Sequence, residues 1–226
     1  MTVIRAFRSL SLAVFMLVAS FAWAQASYKV APASLPGSSN VPQSVLGALE
    51  AQGESFQNSA GTAICEVWFR KGIPVTKSAS SSADVIYGGM SVGEWVGLIH
   101  FPQKATDYRG QAIKPGYYTL RYAQIPQDGN HMGVSTYRDF LLMSPVAADT
   151  QPNQDLSFDA LVKLSRQTAG TGHPAILMLD PAHPSSAFPG AVADDQGNWT
   201  LQVKLDTNAQ PAQLPFAVVL VGQYQG

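Results

Sequence analysis

The sequence predicts a mainly β protein, an antiparallel β-sandwich of about eight strands with one or two short helices. From residue 63 onward, short runs rich in β-branched and aromatic residues alternate with turn residues. Helical periodicity between these runs is rare, whereas parallel βαβ units would need a helix between successive strands. The predicted strands are 63–69, 84–87, 95–101, 116–124, 139–144, 175–179, 199–205 and 215–221.

The first 26 residues have the layout of a secretory signal peptide. Arg5 and Arg8 precede an apolar run that is too short to span a bilayer, and two A-x-A sites end at Ala24 and Ala26. We therefore expect cleavage after Ala24 or Ala26. The mature protein is predicted to be periplasmic or secreted, with no integral membrane segment after cleavage.

Residues 27–42 are rich in Pro, Ser and Gly and lack periodicity, which predicts a flexible linker. The remaining residues, 43–226, are predicted to form one β-sandwich domain, beginning with a short helix over 42–49. Within this domain, the apolar run 215–221 is typical of a strand covered on both faces. The alternating run 116–124 indicates a half-exposed strand.

One longer helix is predicted to interrupt the strands. Ser157 is a capping candidate, Phe158, Leu161 and Val162 follow at helical spacing, and Gly170 provides a stop signal. We expect this helix to pack on a sheet face or to close an open end of the fold.

Charge and cysteine content exclude several classes of function. Loss of the first 26 residues removes two of the 14 basic residues and none of the 15 acidic ones, which leaves a net charge of −3. A protein with this charge balance has no strongly basic surface for nucleic acid and no basic cluster for an anionic membrane. Cys65 is the only cysteine, so no internal disulfide can form, and its apolar neighbours predict a buried structural thiol.

The candidate ligand-binding residues are His100, His131, Arg138 and Asp139. His131 lies in a glycine-rich loop, Arg138 and Asp139 precede an apolar strand, and His100 lies within a strand. Long loops on a β scaffold commonly carry binding residues, and 77–83 and 183–198 are two further loops by composition. No catalytic set is complete, and no cofactor is predicted.

Two enzymatic alternatives remain open. His100 and His131, with a carboxylate such as Asp107 or Asp139, would suit a metal-assisted hydrolase, although no histidine pair has the spacing of a known metal motif. Residues 89–93 match the G-x-S-x-G nucleophile elbow around Ser91, with Asp180 and His183 following in the required order. The run after Ser91 reads as a strand, whereas an elbow leads into a helix.

The segment 114–120, Lys-Pro-Gly-Tyr-Tyr-Thr-Leu, resembles the P-x-G-x-Y-x-L hairpin of Ig-like and transthyretin-like β-sandwich domains. This resemblance implies a fold and no activity. Over a longer span, 65–71, 99–102 and 113–145 resemble a family of uncharacterised exported bacterial proteins, a domain of unknown function. That resemblance implies a self-contained domain.

The sequence therefore predicts an exported, non-catalytic protein of the cell envelope that binds a ligand through the loops around His131 and Arg138. The expected partner is a glycan, a protein or a small molecule. A structural or assembly role in the envelope is the remaining alternative.

Overall fold

Ten antiparallel strands form one sheet that curls until the strands at its two edges come into contact. The computed structural model describes residues 27–76, 82–127 and 135–222, and the predicted signal peptide lies outside them. The elements are β1 (Tyr28–Ser34), α1 (Gln43–Ala48), β2 (Gln52–Asn58), β3 (Ala63–Phe69), β4 (Trp95–Phe101), β5 (Ala105–Thr106), β6 (Ala112–Ile113), β7 (Gly116–Gln124), β8 (Asp139–Pro145), α2 (Phe158–Ala169), β9 (Ile176–Asp180), β10 (Gly190–Ala193), β11 (Trp199–Asp206) and β12 (Gln213–Val221).

The strand order in the large sheet is β1-β2-β3-β4-β7-β8-β9-β12-β11-β10, and β5 and β6 form a separate two-stranded ribbon. Tyr28 of β1 stacks on Phe56 and packs edge-on against Trp199 of β11, with ring centroids 5.2 Å apart in both pairs. The mainly β, antiparallel prediction is confirmed. The predicted eight-stranded sandwich is replaced by a ten-stranded, nearly closed, barrel-like sheet, because the pairing continues from strand to strand around the fold, through β4–β7 and β9–β12 as well as through hairpins, and does not split into two layers.

Residues 27–42 are not simply the flexible linker that was predicted. Tyr28–Ser34 is a strand that pairs with β2 over its whole length, from Tyr28 opposite Asn58 to Ser34 opposite Gln52. The proline-rich composition was misleading because an edge strand tolerates a proline such as Pro32. The folded unit therefore begins before residue 43.

Seven of the eight predicted strands are present, three of them with the predicted bounds. Residues 84–87 are not a strand, since the backbone N–H groups of Ile86 and Tyr87 donate to the Asp139 carboxylate instead of to a neighbouring strand. The buried residues of β12 confirm that it is a central strand covered on both faces.

The interior of the curled sheet is filled by apolar and aromatic side chains. Phe56, Val67, Ile99, Leu120 and Phe216 are fully buried there, and Cys65 lies among them as a free, buried thiol, as predicted. Burial raises the pKa of the Cys65 thiol, with a further contribution from Glu66. The thiol is therefore a core side chain and is not poised as a nucleophile.

Two helices cover the outer face of the sheet. The short helix α1 covers a cluster that contains Trp68, Trp95 and Leu98. Helix α2 covers a second cluster, and its caps are the predicted ones: the Ser157 hydroxyl accepts from Ala160 N–H, and Gly170 adopts a left-handed conformation. None of the helices in the described ranges has the length and apolar character needed to cross a membrane.

Strand β7 differs from its predicted half-exposed character, because its outer face is buried as well. Thr119 and Arg121 on that face are buried. The loop after β8 folds back over them and brings Asp149 into contact with both side chains. The outer face of β7 is therefore polar, as predicted, but it is covered by the loop after β8 and not by solvent.

Candidate ligand-binding groove

A groove of about 470 Å³ lies between helix α2 and the outer face of the sheet. Its floor is formed by Phe140 of β8 and by Ile176 and Met178 of β9. These side chains share a face because Phe140 pairs with Met178, and Ile176 lies two residues before Met178 along the same strand. Its volume falls in the range of roughly 300–1,000 Å³ that is usual for small-molecule sites.

Helix α2 forms the second wall, which we call the helix wall of the groove. Phe158, Val162 and Arg166 line the groove and lie four residues apart, so they share one side of the helix. The adjacent side is anchored to the sheet: the Ser165 hydroxyl donates to the carbonyl of Ala175 at 2.9 Å. This anchor fixes the helix beside the floor, and Phe158 packs partly buried against the cluster that contains Phe140 and Met178.

The third wall is the loop between β5 and β6, which carries Tyr108 and Arg109. Its position is fixed by the buried Asp107 carboxylate, which accepts from the backbone N–H groups of Arg109 at 3.0 Å, Gln111 at 2.8 Å and Ile176 at 3.1 Å. Asp107 thus joins this loop to β9. Its oxygens accept hydrogen bonds that fix the loop, whereas the sequence made Asp107 a candidate metal ligand.

The groove has an apolar end and a basic end. Phe158 packs at the end where Phe140 and Met178 meet, in the same apolar cluster. Arg166 lies two helical turns further on, about 12 Å along the helix, and follows Ser165, the residue that is bonded to Ala175. Arg109, Arg166 and His173 also line the groove. The Gln111 side chain, on the loop that carries Arg109, donates to the carbonyl of Pro174 at 2.9 Å, which places this loop next to His173 at the basic end.

The side chains at the basic end are open to a ligand. Arg109, Arg166 and His173 are exposed. Within the three described ranges, neither guanidinium has a hydrogen-bonded or ion-paired partner; the contacts of Arg109 and Arg166 are made by their backbone groups. Asp159 is the acidic group that lines the groove, and it lies beside Phe158, about 10 Å along the helix from Arg166.

The predicted site residue His100 lies elsewhere, on the outer face of β4. Its Nδ1 is 3.0 Å from a Glu66 carboxylate oxygen on β3. Its ring stacks on Tyr117 of β7 with centroids 4.2 Å apart. Burial, together with the charge of Glu66, raises the pKa of Tyr117. His100 is therefore part of a cross-strand cluster.

Asp139 and Arg138 both serve the local structure. The fully buried Asp139 carboxylate accepts from Ile86 N–H at 2.8 Å, Tyr87 N–H at 2.9 Å and the Tyr122 hydroxyl at 2.6 Å. Burial, reinforced by this bond to Asp139, raises the pKa of Tyr122. Arg138 points the other way, where its Nε donates to the Ile125 carbonyl at 2.9 Å.

These residues do not converge on one cleft. His100 is opposite Tyr117 at the start of β7, and Asp139 is opposite Gln124 at its end, so the two are separated by about 23 Å along the sheet. His131 lies outside the described residues. In the described ranges, histidine, cysteine and carboxylate side chains form no group of three that could hold a metal ion.

Ser91 lies in an exposed turn that leads into strand β4 and not into a helix. The polar cleft around it, of about 320 Å³, also contains Arg70 and Glu94. Arg70 donates to Glu94 at 2.5 Å and to Asn153 at 2.9 Å, so these polar groups satisfy one another. No histidine is among the described residues that line this cleft.

Sequence reasoning found the helix that builds the groove but not the groove itself. Phe158, Leu161 and Val162 were interpreted as the face that packs on the sheet, and Leu161 is indeed buried, together with Ser165 and Thr168, whereas Phe158 and Val162 line the groove. The sequence feature that could have indicated the groove is the apolar surface of this helix, which is wider than one buried stripe and has Arg166 toward its carboxyl end. Arg109 could not be placed from its sequence, because its position depends on the bond between Asp107 and Ile176.

Comparison with known proteins finds no matching family model, no matching curated protein and no matching solved structure. The function is therefore argued from the groove itself.

Proposed function

We propose that this protein is a non-catalytic binding protein that holds a small molecule with an apolar body in the groove beneath α2. The observation that carries this proposal is a groove of about 470 Å³ with apolar side chains on its floor, Phe140, Ile176 and Met178, and on its helix wall, Phe158 and Val162. Apolar surface gains about 25 cal/mol per Å² when it is removed from water, so an apolar ligand is favoured there.

The construction of the groove also supports binding. Its three walls are fixed by hydrogen bonds at Asp107 and Ser165, so little ordering is needed when a ligand enters. A glycan would suit this floor poorly, because its hydroxyl groups would meet apolar side chains. Among the partners expected from the sequence, the groove thus favours the small molecule.

Export to the periplasm or beyond is part of the proposal, supported by the signal-like sequence before residue 27. Amino-terminal sequencing of the protein recovered from cells should begin at Gln25 or Ser27. Recovery of the uncleaved chain would contradict export with cleavage.

The groove is tested with the uncharged fluorescent probe N-phenyl-1-naphthylamine. The wild-type protein should bind it with increased fluorescence, and Val162→Trp, which fills the groove from the helix wall, should abolish the increase. Gln167→Trp is the matched control, since Gln167 is exposed on the same helix and does not line the groove. Ile176→Trp, on the floor, should behave like Val162→Trp.

Circular dichroism checks that each variant is folded. The proposal fails if the wild-type protein does not bind the probe, or if both groove-filling variants are folded and bind it as well as the Gln167→Trp control.

A further inference from the structure

We propose that the ligand of the groove is an amphipathic anion, with an alkyl or aryl body at the Phe158 end and a negatively charged head group held by Arg109 and Arg166. This inference rests on the proposed function and adds the charge and the orientation of the ligand.

The two ends of the groove differ in chemistry. Phe140, Phe158 and Met178 form an apolar end that a hydrocarbon body fits. Arg109 and Arg166 line the groove from two separate walls, the β5–β6 loop and helix α2. Both walls are bonded there to neighbouring residues, since Gln111 of the loop donates to the Pro174 carbonyl and Ser165 of the helix donates to the Ala175 carbonyl. A ligand that spans the groove therefore passes from an apolar surface to a positively charged one.

The guanidinium groups are not committed to structural partners within the described residues, unlike the other arginines for which side-chain contacts are seen. Arg70 pairs with Glu94, Arg121 with Asp149, and Arg138 donates to the Ile125 carbonyl. A guanidinium binds a carboxylate or a phosphate through paired N–H donors. Arg109 and Arg166 therefore have donors available for the head group.

The remaining charged groups at the groove agree with this orientation. His173 lines the basic end and adds a further donor there. Asp159, the acidic side chain of the groove, lies beside Phe158, and no ion pair joins it to Arg109 or Arg166 within the described ranges. Its position disfavours an anionic head group at the Phe158 end, so the head group belongs at the Arg166 end.

The test measures displacement of N-phenyl-1-naphthylamine from the wild-type protein by four ligands with the same decyl tail. Decanoate and decyl phosphate carry the anionic head group, decan-1-ol is neutral and decyltrimethylammonium is cationic. We expect at least one anion to displace the probe more strongly than decan-1-ol, and the cation to displace it least. The stronger anion identifies the head group.

The variants Arg109→Gln and Arg166→Gln should each weaken anion binding by about fivefold, as expected for exposed ion pairs, and should weaken anion binding more than binding of the neutral probe. Lys163→Gln, on an exposed position of α2 outside the groove, and Asp159→Asn should not weaken it. Added salt should weaken anion binding to the wild-type protein and leave the probe bound.

Two results separate the inference from the proposed function. The inference of an anionic ligand is wrong if the groove binds the neutral probe but the anions displace it no better than decan-1-ol. It is also wrong if both arginine variants bind the anions like the wild type. In both cases the proposed binding function is retained. If the groove-filling variants leave probe binding unchanged, the binding function itself is overturned.

Discussion

Arg121 shows how a single side chain can hold a long connection in place. Its Nε and one terminal nitrogen each donate to an Asp149 carboxylate oxygen at 2.8 Å. The remaining donors reach the carbonyls of Gly93, Gln151 and Gln154 at 2.9 to 3.1 Å. All five N–H groups of the guanidinium are thereby satisfied. Both charged side chains are almost completely buried, so the pair joins the loop after β8 to the sheet.

Removing one partner of this pair should be strongly destabilising, because the other charge stays buried without compensation. We expect Asp149→Asn and Arg121→Met each to lower the free energy of unfolding by about 3–5 kcal/mol. Chemical denaturation measures this loss. Lys163→Gln, an exposed change, should stay within about 0.5 kcal/mol of the wild type. A loss below about 1 kcal/mol in both variants would mean that the loop does not depend on the pair.

The sequence could not reveal these residue-level contacts. Arg121 and Asp149 are 28 positions apart, and their contact depends on the path of the loop after β8. The same holds for Asp139, which was interpreted as a binding residue because it lies in a polar cluster before an apolar strand. Its role becomes visible only when residues 86 and 87 lie against it. Residue type indicated the chemistry, but the fold decides which partner each group takes.

At the level of elements, the strands that sequence reasoning missed are those without an apolar alternation. β2 has the sequence QGESFQN, and β1 contains Pro32. Residues 190–193 form β10, inside the run 183–198 that was predicted to be a loop. All three strands form because neighbouring strands offer backbone partners. The strands with β-branched and aromatic residues, such as β3, β4 and β7, were predicted with their observed bounds because their own side chains determine both burial and pairing.

The amino-terminal cap of α2 can be tested directly. Ser157→Ala removes the side-chain acceptor of Ala160 N–H, so we expect the free energy of unfolding to fall by about 1 kcal/mol. Ser157→Asp preserves a capping oxygen and should retain the wild-type stability within a few tenths of a kcal/mol. Thermal and urea unfolding measure both variants. Equal stability of the alanine and aspartate variants would show that the cap contributes little to α2.

At the scale of the whole molecule, several half-buried carboxyl groups couple stability to pH. Burial raises the pKa of Glu54. Burial also raises the pKa of Glu94, although Arg70 and Arg121 oppose the shift. Burial is the main cause of the raised pKa of Asp180; the charge of Asp194 adds to the shift, and the charge of His183 opposes it. These groups hold a proton more tightly in the folded state than in the unfolded chain.

A carboxyl group with a raised folded pKa contributes stability below its unfolded pKa, and this contribution is lost as the pH rises through the folded value. The stability gained by Asp180→Asn relative to wild type should therefore increase as the pH rises from about 4, near the ordinary pKa of aspartate. Urea denaturation over a series of pH values measures this difference.

Gln196→Ala is the matched control in the nearby turn, because it removes no titrating group and should give an offset that does not change with pH. A difference between Asp180→Asn and the wild type that shrinks as the pH rises would reverse the sign of the predicted coupling.

The meeting of β1 with β10 ties the first described strand to a partner more than 150 residues away. During synthesis, β1 can pair with β2 early, but its other side has no neighbour until the ribosome has made the last third of the chain. Contacts between such distant residues pay a large entropy cost before they give stability, which slows folding. Refolding is therefore expected to be slower than that of a helical protein of the same length. Stopped-flow tryptophan fluorescence, to which Trp199 beside Tyr28 contributes together with Trp68 and Trp95, measures the refolding rate.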